Sequence, residues 1–447
     1  MAPAVRDGRQ EAVTSRFHPT NREILGLAIP ALGALAIDPL LTLADTAFVA
    51  RLGTGDLAAL GVDTAIFGFA FFAFNFLAYV VTPLVARAIG AGRPEEARRW
   101  VGDALFLAVT LGVTVAVVLE LAAPFFVDLM GAGTDIAGPA VDYLRIRALA
   151  APAVLIVTTG HGAFRGHKDT RTPLRVALGV NLVNLVLDPL LIFVLGWGLE
   201  GAAVATVVAQ YFGAAWFLRL MVKRNMAARL RGLAESLPSL LDVGRNGVLL
   251  TTRTGLLLAT LTIAASVATR LGPAEIAAHQ LVAQVFLLSA LLADSFAIAA
   301  QAMVGDTAAH GDIAELHSLN RRLVGWGVVA GLILMVGIGL GKSGLEYLAS
   351  EEVVAAIAVG AAAVVALAEP IAAVMFVGDA IFLGLFALGT MVISTGAGGV
   401  AAVALMLFTS LGDSVTGIWW AMAVMLVVRG VVLLAGYPRS VRTAVRS

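Results

Sequence analysis

The chain has 447 residues, is 60% hydrophobic and only 13% charged, and its 30 basic and 30 acidic side chains cancel, with a mean hydropathy of +0.93. Such a composition excludes a water-soluble globular domain and provides no net field for nucleic acid or an acidic partner. The absence of cysteine also excludes disulfides, thiolate nucleophiles and cysteine-ligated metals.

The opening segment, MAPAVRDGRQEAVTSRFHPTNRE, is polar. The apolar run after it is too long for a signal-peptide core and carries two acids, so it is expected to be retained as a span. Twelve apolar spans fit the hydropathy, near 24–50, 58–86, 101–126, 139–164, 174–196, 199–222, 240–269, 275–304, 320–341, 353–383, 387–410 and 415–436. Each approaches or exceeds the roughly 20 residues that a bilayer-crossing helix needs. The expected fold is an all-α polytopic membrane protein of twelve transmembrane helices.

In the first span, Asp38, Thr42 and Asp45 are four and three residues apart and face one way, with Pro39 between them and Pro30 earlier, both prolines being expected to bend the helix. Two carboxylates on one stripe in a low dielectric resist carrying two charges, which suits a proton carrier. Asp38 has a plainer reading as a group that hydrates the Pro39 break, and Asp45 as an acid paired with Arg51 at the outer mouth. In the second span, Phe67, Phe69, Phe71, Phe72, Phe74 and Phe76 surround the helix. Some should therefore touch lipid and others a cleft.

The fifth span reads RVALGVNLVNLVLDPLLIFVL, with Asn181, Asn184 and Asp188 on one stripe and Pro189 beside the acid. An ionised carboxylate at bilayer depth is disfavoured by roughly 2.5 to 3.5 kcal/mol on insertion scales, so the stripe should face a bundle interior or a watery cavity. Pro189 removes the amide that would bond to Leu185 and is expected to bend the helix there. Two asparagines, an aspartate and a proline on one line point to a transport site rather than to simple helix–helix glue.

In the second half, Arg253 demands a buried carboxylate partner. Glu369, just before Pro370, reads either as half of a structural pair or as a cleft counter-charge to substrate. Asp294 also stands out, Asp379 is expected to be an interfacial structural acid, and His279 to be scaffold.

Basic residues sort the loops. Arg6, Arg9, Arg16, Arg22, Arg87, Arg93, Arg98, Arg99, Arg165, Lys168, Arg171, Arg175 and the run from Arg219 to Arg245 fall on one side, with Arg321, Arg322, Arg439, Arg442 and Arg446. Little beyond Arg51, Arg270 and Lys342 falls on the other. Both termini are therefore expected to be cytoplasmic. The chain also repeats: Arg51-Leu52-Gly53 recurs as Arg270-Leu271-Gly272, and Gly92 as Gly311, both at an offset of 219. Pro152 and Gly166 match Pro370 and Gly384 at 218. An even number of spans per copy leaves both copies the same way up, giving two parallel six-helix repeats around a central cleft. The expected lobes are 1–222 and 240–447, joined by a basic linker at 223–239.

Twelve spans, parallel halves and the motifs Ala44-Asp45-Thr46-Ala47-Phe48-Val49-Ala50-Arg51-Leu52-Gly53, Arg165-Gly166-His167-Lys168-Asp169-Thr170-Arg171-Thr172-Pro173-Leu174 and Ala277-Ala278-His279-Gln280 resemble the multidrug and toxic compound extrusion (MATE) transporters. The similarity is greatest to the branch of the DNA-damage-inducible F proteins. The resemblance implies efflux of organic, often cationic or amphipathic, molecules in exchange for H+ or Na+ through rocking of the lobes. It places the family's buried first-helix acid on Asp45, its fifth-helix pair on Asn184 and Asp188, a sixth-helix threonine on Thr206 and a fourth-helix tyrosine on Tyr143. His161 stands where relatives often carry asparagine, a departure that puts the family's proton-site network in doubt here, and with Glu369 it is a candidate for the substrate cleft. Leu257 stands opposite Asp38, so the ion chemistry is expected in the first lobe alone.

Enzyme readings lack support: no Gly-rich phosphate loop precedes a Lys-Ser/Thr pair, and no set of ligands suits a metal. The expected function is a secondary active antiporter of the plasma membrane, monomeric, without cofactor other than the coupling ion. Its alternatives are a flippase for a lipid-linked precursor, which should show a strongly basic cavity, and a non-transporting membrane sensor.

Overall fold

The computed structural model describes residues 19–72, 74–228, 233–349 and 351–446. In the first half they form α1 (Pro19–Val49), α2 (Thr54–Phe72), α3 (Phe76–Gly90), α4 (Pro94–Leu129), α5 (Thr134–Ala148), α6 (Ala151–Gly166), α7 (Arg171–Pro189) with a π turn at Leu190–Val194, and α8 (Gly198–Lys223). In the second half are α9 (Leu233–Leu271), α10 (Pro273–Ala309), α11 (Ile313–Leu340), a short α12 (Lys342–Leu348), α13 (Glu352–Gly384), α14 (Leu388–Phe408), a 3-10 turn at Ser410–Asp413, and α15 (Val415–Arg446).

Ten of the described helices are long and apolar enough to cross a bilayer by themselves. The predicted second and fourth spans complete the twelve, and each consists of two helices end to end: α2 with α3, and α5 with α6. The second break follows from Pro152 in the first turn of α6, where a proline without an amide is tolerated but cannot continue α5. By contrast α1 is helical through both Pro30 and Pro39, and α7 gives way to the π turn directly after Pro189.

The sequence repeat is a structural repeat. Left-handed backbone occurs at Gly92 (φ +69°) and Gly311 (φ +79°), and again at Lys168 (φ +56°) and Phe386 (φ +59°). Helix crossings repeat too. A Cβ on Gly112 would lie 2.4 Å from Pro152 Cα, and one on Gly331 would lie 2.5 Å from Pro370 Cα. Gly166 packs on Val85, and Gly384 on Val304. Only glycine lets these backbones approach so closely, the small-residue packing that takes the place of hydrophobic drive between helices in lipid.

The halves meet at the end that carries most of the loop arginines. Ile24, Leu27 and Ala28 of α1 share a core with Ala299, Ala300 and Met303 of α10 and with Val441 and Ala444 of α15. A Cβ on Gly305 would touch Ala86 Cβ at 3.2 Å, and one on Gly90 would meet the Asp306 carbonyl oxygen at 2.4 Å. Ala86 and Gly305 are 305 − 86 = 219 positions apart and thus repeat-equivalent, so the axis relating the halves passes between them. Polar ties reinforce the closure: Lys168 Nζ reaches Glu23 at 3.0 Å and Asp306 at 2.7 Å, Arg87 donates to the Ala444 carbonyl at 2.9 Å, and Trp326 Nε1 donates to Asn21 at 3.4 Å.

Candidate functional site

In the first half, α7 presents Asn184 and Asp188 one turn apart, both buried to within 1%. Asn184 Nδ2 donates to Asp188 Oδ1 at 3.2 Å and to Thr206 Oγ1 of α8 at 3.4 Å, while the Thr206 hydroxyl donates to the Ala202 carbonyl. Asp45 of α1 and the buried Tyr143 of α5 lie close enough to the Asp188 carboxyl to act on it electrostatically. The sequence-predicted Asp45, Asp188, Asn184, Thr206 and Tyr143 are thus brought together. Asn181 belongs to the same stripe but donates to its own helix at Ala177. The side chain of Asp38 lies outside the described residues.

What this cluster lacks is donors. Asp45 Oδ1, Asp188 Oδ2 and Asn184 Oδ1 are buried and accept no hydrogen bond. Buried acceptors left without a partner cost free energy, and here three of them are concentrated at one place.

The second half places its charges differently. Asp379 of α13 is buried between two guanidinium groups, Arg253 of α9 and Arg429 of α15, the latter at 2.5 Å. The partner expected for Arg253 is present. Asp379, expected as a structural acid, has two cations rather than one to stabilise its charge. Glu369 accepts from Ser289 Oγ at 2.5 Å and lines only a narrow cavity against Phe286 and Trp419. His161 sits 3.5 Å from an Arg165 nitrogen and stacks edge-on against Phe217. His279 stacks on Trp419.

Between the halves lies a cavity of about 220 Å³ lined by Asn75, Phe76 and Tyr79 of the first half and by Arg253, Asp294, Gln301, Asp379 and Arg429 of the second. Tyr79 Oη donates to Asp294 at 3.4 Å. The lining includes neither Glu369 nor His161, because Glu369 turns to Ser289 and His161 to Arg165. Of the phenylalanine run, Phe76 faces this cavity, Phe69 is 84% exposed on the outer surface, and Phe67 is buried.

The family model described as MatE matches residues 30–190, the stretch that holds Asp45, Tyr143, Asn184 and Asp188. Protein DETOXIFICATION 44, chloroplastic, of Arabidopsis thaliana is 34% identical over 93% of this chain and 81% of its own length. The chain belongs to the MATE family. DNA damage-inducible protein F of Escherichia coli (strain K12) is 28% identical over 74% of this chain and 73% of its own length. Among solved structures, the bent form of the Vibrio cholerae MATE transporter VcmN has the same fold, with a TM-score of 0.88 at 19% identity over 95% of this chain and 97% of that one. MATE proteins are multi-pass membrane transporters, not enzymes.

Within this MATE chain, sequence reasoning missed Asp63 and Arg147. Asp63 of α2 is 1% exposed and faces Arg147 Nε of α5 at 3.8 Å, while the guanidinium of Arg147 lies 4.7 Å above the Phe67 ring. Both stand beside Tyr143. A signal existed: Asp63 is a lone acid in an apolar run, and such a residue rarely survives in a membrane without a partner. The mirror position of Asp45, 45 + 219 = 264, is Ala264 in the apolar core of the second half, so the donor-poor cluster has no counterpart there.

Proposed function

We propose that this MATE transporter is a secondary active multidrug antiporter that exports organic, often cationic or amphipathic, compounds in exchange for H+, with Na+ as the alternative coupling ion. It would act as a monomer in the plasma membrane with both termini cytoplasmic, the orientation supported by the arginine-rich loops. The observation that carries the reading is the Asp45–Asp188 contact with its three acceptor oxygens lacking donors. A proton or cation held between the two carboxylates would supply the partner that these oxygens lack.

The route from ion to substrate runs along α1. One end of α1 carries Asp45 and the other packs against α10. Pro30 and Pro39 remove the amides that would bond to Gly26 and Leu35, so the helix between those ends is soft. Protonation of the acid pair removes charge from the first lobe, lets α1 and α7 repack, and thereby acts on the lobe contact. With the basic end closed, the cavity would be open to the outside. The membrane potential assists, since one charge moved across 100 mV is worth about 2.3 kcal/mol. The cavity pairs two arginines with two aspartates, which argues against the strongly basic vestibule of a lipid-precursor flippase.

The test is drug transport by reconstituted vesicles with pH and sodium gradients imposed separately. Asp188→Asn should abolish exchange while the purified protein keeps its thermal unfolding profile. Full exchange by that variant refutes the assignment, and a response to sodium alone replaces H+ with Na+.

A further inference from the structure

Outside the cleft, α11, α13 and α15 leave a groove of about 560 Å³ on the outer surface of the second half. Its walls are apolar, among them Val324, Val374, Ile381 and Leu434. Two glycines open it. A Cβ on Gly378 would meet only Leu433 at 3.7 Å, and one on Gly430 only Met375 at 3.4 Å. From Tyr437 to Gly430 along α15 is seven residues, about 10 Å of depth into the bilayer.

The groove is not apolar throughout. At its basic-end mouth stand His317, Asn320 and Arg321 of α11 and Tyr437 of α15. Asn320 Nδ2 donates to Tyr437 Oη at 2.7 Å, and Tyr437 Oη lies 3.0 Å from His317 Nδ1. The tyrosine has one proton to give; given to Nδ1, it leaves the neutral imidazole proton on Nε2 as a spare donor. Asn320 is 5% exposed and its Oδ1 accepts from nothing. Arg321 is exposed and forms no ion pair among the described residues.

We infer that this groove is a binding site for one anionic phospholipid of the leaflet on the basic side, of the phosphatidylglycerol class. An acyl chain fills the space above Gly378 and Gly430. The phosphate accepts from Arg321 and from His317 Nε2, a charge-assisted pairing at the headgroup level. A headgroup hydroxyl donates to Asn320 Oδ1 and relieves the buried acceptor. A zwitterionic choline lipid supplies neither net charge for Arg321 nor a hydroxyl for Asn320, so the site selects by headgroup.

Native mass spectrometry of the full chain, released from detergent with equimolar phosphatidylglycerol and phosphatidylcholine, tests the site. One phosphatidylglycerol should be retained in preference to phosphatidylcholine. Arg321→Ala, which removes a charge-assisted contact, should weaken retention about tenfold. Gly378→Leu fills the groove without a backbone clash and should abolish it. Thermal unfolding of both variants shows that each is folded, and Gly430→Ala, a lesser filling, gives a second steric probe. Equal retention of the two lipids, or unchanged retention in folded Arg321→Ala or Gly378→Leu, overturns the inference.

Discussion

Gly90→Ala tests whether the Gly90–Asp306 contact belongs to one state of the transporter. The new Cβ would lie 2.4 Å from the Asp306 carbonyl oxygen and 3.0 Å from its carbonyl carbon. Ordinary contact begins near 3.4 Å, so α3 and α10 must separate by 3.4 − 2.4 = 1.0 Å. Backbone atoms of two packed helices cannot rotate aside as a side chain would. Overpacking of this kind costs about 1 to 3 kcal/mol. A state in which the basic ends part does not bear that cost, so the balance between states should shift by roughly 5- to 150-fold. The chain contains no cysteine, and a single Asn75→Cys in the cavity wall therefore reports access without background. With a membrane-impermeant maleimide, Gly90→Ala should slow labelling from the outer side and speed it from the basic side. Unchanged rates from both sides, with the protein folded, refute the assignment of this contact to the outward-open state.

Other expectations concern the ties around it. Asp379→Ala leaves the buried Arg429 without its counter-charge and removes the carboxylate from Arg253 on the cavity wall, and should cost about 3 kcal/mol, read as a large fall in thermal stability or loss of folded protein. Asp169 accepts from Thr172 N at 2.9 Å, Thr172 Oγ1 at 2.6 Å and Arg224 at 2.7 Å, so Asp169→Ala should destabilise by about 1 to 2 kcal/mol. Partial burial opposes its charge, but the hydrogen bonds from Thr172 and Arg224 outweigh it and hold the Asp169 carboxyl below its ordinary value of 3.8. Its stabilisation is therefore complete above that value and should be lost as pH falls through the lower, folded one, measurable as an acid-side drop in melting temperature absent from Asp169→Ala. Lys168 behaves oppositely: burial disfavours its charge, but hydrogen bonds to Asp306 and Glu23 prevail and raise it above 10.5. The tie is complete below that value and is lost only as pH rises through the raised one, so unfolding of Lys168→Ala and the parent should differ by a similar amount, about 1 kcal/mol or less, from neutrality to pH 10.

The spans were legible because hydrocarbon leaves a chain few choices: it must satisfy its backbone internally, and long apolar runs announce that. The repeat was legible for a related reason. Gly92 and Gly311 carry left-handed backbone, and Gly166 and Gly384 carry helix contacts that no side chain permits, so those letters recur. The Asn184–Asp188 bond was also readable, being one turn of one helix. Partners on different helices were another matter. That Asp45 reaches Asp188, that Asp63 meets Arg147, and that Asp379 lies between Arg253 and Arg429 depend on how separate helices are rotated against each other. Lys168 was a topology charge in the sequence and became a tie between lobes only because its left-handed turn sits over Asp306. The sequence by itself determined which groups are too polar for lipid; tertiary packing alone decided which of them meet, because rotation and tilt of rigid helices are set by contacts distant in the chain.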